Sequence, residues 1–104
     1  MRQFFVDSFY LLALFNSRDA AHSKAVEWAI VPNRRLFTTD WVLTEVADAL
    51  SSSASRMQCV AFLDGFRGSP RVEVTPATRE LFESGWALYA ARPDKDWSLT
   101  DCIS

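Results

Sequence analysis

The feature that most constrains the fold is the alternation of short apolar segments with stretches of helical spacing. Apolar segments occur at residues 4–6, 35–38 and 71–74, and a helical pattern follows each. No tight-turn dipeptide joins two of these segments directly, so antiparallel hairpins are not indicated. The pattern therefore predicts an α/β fold with a mostly parallel sheet and helices on both faces. In such sheets, ligands bind at the carboxyl ends of the strands.

The predicted helices fill the remaining length without an interdomain linker. Pro32 and Asn33 are expected to end the second helix, Gly65 and Gly68 to close the fourth, and Ser98 to cap the last. The chain has 104 residues, which is enough for one domain, residues 1–104, and leaves no room for a second. The helical segments are predicted at residues 9–15, 20–30, 41–50, 57–66, 75–89 and from 99 onward.

Charge and cysteine content limit the possible partners and compartment. Eleven basic and thirteen acidic residues give a formal charge of −2, so no global basic field attracts RNA or a membrane. Cys59 and Cys102 have no zinc-site spacing and no disulfide framework. There is no signal-peptide pattern and no run of membrane-spanning length. A cytoplasmic protein without membrane contact is expected.

Three carboxylates are placed where they can meet at the carboxyl edge of the sheet. Asp7 directly follows the first strand, Glu45 shares a helix face with Val42 and Val46, and Asp101 lies in the first turns of the last helix. Converging carboxylates repel one another unless a cation neutralises them, and hard oxygen ligands favour Mg²⁺ or Mn²⁺. With no Ser-His-Asp set in the chain, metal-assisted hydrolysis is the chemistry most available.

Each of these acids also has a purely structural interpretation. Asp7 can cap a helix, and Glu45 can pair with an arginine. Asp101 can be stabilised in a first turn by the positive end of the helix dipole. Asp40 is expected to N-cap the helix that starts at Trp41. Nearby hydroxyls can orient a carboxylate or a metal-bound water as well as cap a helix; they are Ser8, Ser98 and Thr100.

Three blocks of sequence, taken in order, resemble a known family. Residues 5–14 (FVDSFYLLAL), 37–45 (FTTDWVLTE) and 97–102 (WSLTDC) are similar to PIN domains, and especially to the VapC-type toxins of bacterial toxin-antitoxin pairs. The resemblance spans almost the whole chain, and each block contributes one acid at the family's position. It implies a PIN-like, Rossmannoid three-layer α/β/α fold.

The resemblance also implies a function, a cofactor and partners. A Mg²⁺- or Mn²⁺-dependent endoribonuclease is expected, with Asp7, Glu45 and Asp101 as metal ligands and catalytic residues. RNA is the implied substrate, a cognate antitoxin the implied inhibitor, and a homodimer the implied assembly. Asp40 occupies a position that is often polar near the family's pocket, so it is expected to support the site from behind, together with the three hydroxyls.

The sequence departs from the family at its C-terminal end. PIN domains continue past the helix that carries Asp101 with further strands and another acid, whereas this sequence ends at Ser104. A sheet without the C-terminal strands and an impaired activity are therefore expected. The alternative function is a non-catalytic PIN remnant that acts only as a protein-interaction module. Arginines and lysines are expected to rim the acidic pocket, drawn from Arg18, Lys24, Arg34, Arg35 and Arg92.

Overall fold

Strands and helices alternate along the chain in the computed structural model, which describes residues 2–30 and 34–103. The expected helix end at Pro32-Asn33 lies outside the described residues. The other predicted elements are all present, with small shifts of their ends. In chain order they are β1 (Arg2–Phe5), α1 (Ser8–Phe15), α2 (His22–Ala29), β2 (Arg34–Thr39), α3 (Asp40–Ala49), α4 (Arg56–Gly68), β3 (Val72–Thr75), α5 (Arg79–Ala91) and α6 (Leu99–Ile103).

The described strands form one parallel sheet, as predicted, and their order is β1-β2-β3. Phe4 pairs with Leu36, and Leu36 pairs with Val72. The β1–β2 ladder continues past β1, because the backbone N–H of Val6 donates to the carbonyl of Phe37 at 2.8 Å. All carboxyl ends therefore lie along the same edge of the sheet.

Side chains alternate between the two faces of the sheet, and helices pack on both. On one face, Phe4 and Leu36 belong to the main core, whose buried members include Leu11, Val46 and Leu63 from α1, α3 and α4. On the other face, Phe5 and Phe37 meet Leu81 of α5 and Ile103 of α6 around a cleft. This arrangement is the three-layer α/β/α fold expected from the sequence.

Three details of the helix ends differ from the sequence-based expectations. α3 is capped by Thr39, whose side chain accepts from the Val42 N–H at 3.2 Å, so the expectation that Asp40 would be the cap is wrong. α4 continues through Gly65, because no positive φ or close contact interrupts it there. α5 begins at Arg79 rather than near Pro76, since Thr78 supplies the cap.

Some expectations from composition can be compared with the structure directly. Cys59 and Cys102 are free and buried, so they act as small apolar packing residues. Among the residues that the structure describes, no helix has both the length and the apolar character needed to cross a membrane.

Candidate active site

A cleft of about 600 Å³ lies at the carboxyl edge of the sheet, between the strand ends and helices α5 and α6. It draws residues from segments far apart in the sequence, and it contains all three acids singled out above. Its lining consists of Phe5, Asp7, Ser8, Phe37, Thr39, Val42, Glu45, Thr75, Leu81, Thr100, Asp101 and Ile103.

Asp7 is fixed at the junction between β1 and α1. Its backbone is extended, and its side chain caps α1 by accepting from the Tyr10 N–H through Oδ1 at 2.9 Å. The structural interpretation of Asp7 as a helix cap is therefore correct, but capping uses one oxygen of an exposed carboxylate that also lines the cleft. A carboxylate has about four acceptor positions, so the cap leaves capacity for another ligand.

Glu45 enters the cleft from α3, on the side of that helix facing the core. Its neighbours Val42 and Val46 are buried to 2% and 0% exposure, which anchors this part of the helix. Glu45 is half-buried and accepts a hydrogen bond from the Ser8 hydroxyl on Oε1. Ser8 thus joins the start of α1 to the carboxylate of α3, and among the described residues no arginine pairs with Glu45.

Asp101 reaches the cleft from the short helix α6. It forms a reciprocal cap with Ser98, in which the Asp101 N–H donates to Ser98 Oγ at 3.0 Å and the Ser98 N–H donates to Asp101 Oδ2 at 3.3 Å. This capping box confirms that Ser98 starts the helix. Cys102 and Ile103 are buried beside it and hold α6 against the rest of the domain.

Close packing between α5 and α6 determines where Asp101 sits. Gly85 is buried in α5, and a Cβ placed on it would lie 2.8 Å from the Cα of Ile103 and clash with that side chain. Relieving this contact would require the backbone of α6 to move away from α5, at a cost in free energy. A glycine is therefore required for the two helices to approach this closely.

The structure brings some of the supporting residues to the cleft and leaves others away from it. Ser8 and Thr100 line it, whereas Ser98 acts only through the cap of α6. Asp40 lies in another cleft with Val74 and accepts from the Ala77 N–H at 3.2 Å, so its expected place behind the acids is wrong. Asp40 is the first residue of α3, and its side chain turns toward the segment after β3.

Two threonines at the strand ends were not predicted from the sequence. Thr39 and Thr75 line the cleft from β2 and β3, beside the edge-to-face ring pair Phe5 and Phe37. The preceding Thr38 is fully buried and donates its hydroxyl to the Val6 carbonyl at 2.7 Å, which ties the end of β2 to the segment that carries Asp7. The signal for Thr39 in the sequence was the pair of threonines that closes the apolar segment at residues 35–38.

Within residues 2–30 and 34–103, no lysine or arginine lines the cleft. The prediction that basic residues would surround the acids is therefore not met by the described lining. Arg34 stands at the opposite end of β2, where its guanidinium stacks over Trp28 at 4.3 Å and donates to the Trp28 carbonyl. Lys24 lines a groove beside α1 and α2, and Arg92 lies across α6. Chain position alone does not reveal which edge of the sheet a cation occupies.

The oxygen donors in the cleft suit a divalent cation, although the side chains do not form a complete coordination sphere. Three carboxylates and several hydroxyls share one cleft whose described lining holds no cation, and hard oxygen donors of this kind match Mg²⁺ or Mn²⁺. As the described side chains lie, however, no three acids, histidines or cysteines are close enough to enclose an ion. Side-chain rotations or bridging waters would be needed for these three acids to enclose an ion.

Comparison with known proteins finds solved structures of similar fold, but no family model or curated sequence. No protein-family model matches the chain, and neither does any curated protein sequence. The crystal structure of Mycobacterium tuberculosis VapC20, described as a sarcin-ricin loop cleaving toxin, is 29% identical and superposes with a TM-score of 0.81. That match covers 95% of this chain and 75% of VapC20.

A second solved structure shares the fold at lower identity. It is VapBC2 from Rickettsia felis bound to a DNA fragment from their promoter, with 16% identity, a TM-score of 0.67, and coverage of 99% of this chain and 76% of the other. The fold is that of a PIN-like domain. Within that class, the likeness to VapC20 at 29% identity supports a PIN-domain protein similar to VapC toxins.

Proposed function

We propose that the chain is a Mg²⁺- or Mn²⁺-dependent endoribonuclease and the toxin component of a type II toxin-antitoxin pair. The observation that carries this proposal is that Asp7, Glu45 and Asp101 come from three separate elements and line one cleft. The likeness to VapC20, a toxin that cleaves the sarcin-ricin loop, supports RNA as the substrate.

Asp7, Glu45 and Asp101 would hold the metal ion, which supplies a hydroxide nucleophile at neutral pH and stabilises charge on the phosphate. Ser8 orients Glu45 through its hydrogen bond, and Ser98 orients Asp101 through the capping box. The hydroxyls of Thr39, Thr75 and Thr100 can donate hydrogen bonds to phosphate oxygens or to water in the cleft.

The proposal includes a cognate antitoxin, a homodimer and a cytoplasmic location. The R. felis neighbour is a complex of two proteins with promoter DNA, which supports an antitoxin partner. Because no cation lines the described part of the acidic cleft, an antitoxin segment carrying lysine or arginine would complement it and block the substrate. The substrate would be RNA in the bacterial cytoplasm, and the antitoxin would control its access to the cleft.

Cleavage of a mixed RNA pool in the presence of Mn²⁺ or Mg²⁺ tests this function. Asp7→Asn, Glu45→Gln and Asp101→Asn should each lower the cleavage rate by about 100-fold or more, because metal-based charge stabilisation contributes several kcal/mol. Asp48→Asn is the matched control, since Asp48 is exposed on α3 outside the cleft. Cleavage that persists in EDTA or in Asp7→Asn contradicts the proposal, and no cleavage by the unaltered chain favours the interaction-module alternative.

A further inference from the structure

A second cleft, of about 540 Å³, lies on the other side of α6 from the acids. Its walls come from the C-terminal half of α5 and from the loop before α6, and they include Trp86, Tyr89, Arg92, Lys95, Trp97 and Cys102. We propose that this cleft, here called the Trp97 cleft, is a base-stacking subsite for single-stranded RNA. The inference rests on the proposed function and states how the same substrate is held.

Trp97 presents an accessible ring framed by two cations. Its side chain is 43% exposed, with the Arg92 guanidinium 5.4 Å and the Lys95 ammonium 5.6 Å from the ring centroid. Arg92 is fixed there by a two-pronged contact with Asp94, whose oxygens accept from Nε and from the second guanidinium nitrogen at 3.0 Å each. Within the described residues Lys95 forms no ion pair, so its ammonium is available to a phosphate.

The opposite wall is also aromatic. Trp86 and Tyr89 stack at 5.7 Å with an interplanar angle of 19°, and they are 50% and 46% exposed. Phe82 stacks on Trp86 further along α5. Exposed rings held in a stacked row provide a surface on which a base can pack regardless of sequence.

The Trp97 cleft is close enough to the acids to serve the same RNA strand. Cys102 lines it, while Asp101 and Ile103 line the acidic cleft, so the two clefts are separated by the width of α6 alone. A helix with its side chains is about 10–12 Å across. A strand with one phosphate among the acids can therefore pass over α6 and place a nearby base against Trp97.

Charge favours a base over a phosphate-only ligand or an acidic peptide as the occupant. Arg92 and Lys95 are balanced by Asp94 and Asp96 in the same loop, so this segment carries no net charge. A neutral, flat group gains from the rings and the cations without requiring excess positive charge. No described cation lines the acidic cleft, so the RNA must gain affinity elsewhere on the protein. The Trp97 cleft offers two cations beside one ring.

Binding of a short single-stranded oligoribonucleotide in EDTA tests the subsite separately from catalysis. Trp97→Ala should weaken binding about 5- to 100-fold, the usual effect of losing one stacking aromatic, and Trp97→Phe should restore most of it. Phe9→Ala is the matched control, because Phe9 is 68% exposed on α1 and lies outside the Trp97 cleft.

A comparison within the unaltered protein covers the case in which Trp97→Ala folds poorly. An oligomer that lacks its bases but keeps the sugar-phosphate backbone should bind the unaltered chain about as weakly as normal RNA binds Trp97→Ala. Equal binding of abasic and normal RNA overturns the proposal. So does a Trp97→Ala variant with unchanged RNA affinity but altered mass in solution, which would identify the cleft as a contact between copies of the chain. A protein that binds RNA through Trp97 but does not cleave it would retain the subsite and lose the proposed function.

Discussion

The two walls of the acidic cleft are held in place in different ways. The inner wall comprises β1, β2, α1 and α3, where Leu11 and Val46 have 0% exposure and Thr38 ties the two strands together. The outer wall comprises α5 and α6, where Trp86, Leu88 and Tyr89 are 42–50% exposed. Asp7 and Glu45 belong to the inner wall, and Asp101 belongs to the outer wall.

This difference indicates that the three acids depend on the fold to different degrees. Asp7 and Glu45 reach their positions whenever the main core forms, because buried residues lie directly beside them. α6 has five residues, far fewer than the roughly 12 that an isolated helix needs. The position of Asp101 therefore depends on the Ser98 cap and on the contact between Gly85 and Ile103.

Truncating one leucine in each wall should give the largest contrast in stability. Leu11→Ala removes a fully buried side chain and should lower the free energy of unfolding by about 2–5 kcal/mol. Leu88→Ala removes one that is 42% exposed and should cost less than about 1 kcal/mol. Urea denaturation measures both. Equal losses would show that the two walls are equally well packed and would remove the basis of the comparison.

A pair of glycine substitutions should have opposite signs. Gly85→Ala forces a Cβ against Ile103 and should destabilise the protein by about 1–3 kcal/mol, while also displacing Asp101 and lowering cleavage. Gly65→Ala, in α4 with nothing within 4 Å, should stabilise by about 0.5–1 kcal/mol through its higher helix propensity. Thermal denaturation compares them. A stabilising Gly85→Ala with unchanged cleavage would show that the approach of α6 to α5 is not needed.

Local patterns in the sequence predicted the inner wall well. The apolar segment before Asp7 and the apolar face around Glu45 are short-range signals of a strand and a helix, and both elements formed as expected. The Ser98 cap was likewise encoded within four residues. These features depend on neighbouring residues, so one sequence is sufficient to predict them.

Features that depend on which segments meet in space were predicted less well. Asp40 was expected to cap α3, but β2 runs directly into α3 and Thr39, its last residue, supplies the cap. The arginines were expected at the acids, yet Arg34 is held at the opposite end of its strand by Trp28. The close approach at Gly85 requires knowledge of the packing of α6, which no pattern within α5 encodes.

Direct binding of Mn²⁺ tests the central claim that the three acids share one metal ion. Titration followed by the signal of free Mn²⁺ in electron paramagnetic resonance should show saturable binding to the unaltered chain. Asp7→Asn, Glu45→Gln and Asp101→Asn should each weaken it at least about tenfold, since even residues behind the ligands contribute that much. Asp48→Asn should bind like the unaltered chain. Equal affinity in all four variants, or no binding by the unaltered chain, would contradict a shared metal site in this cleft.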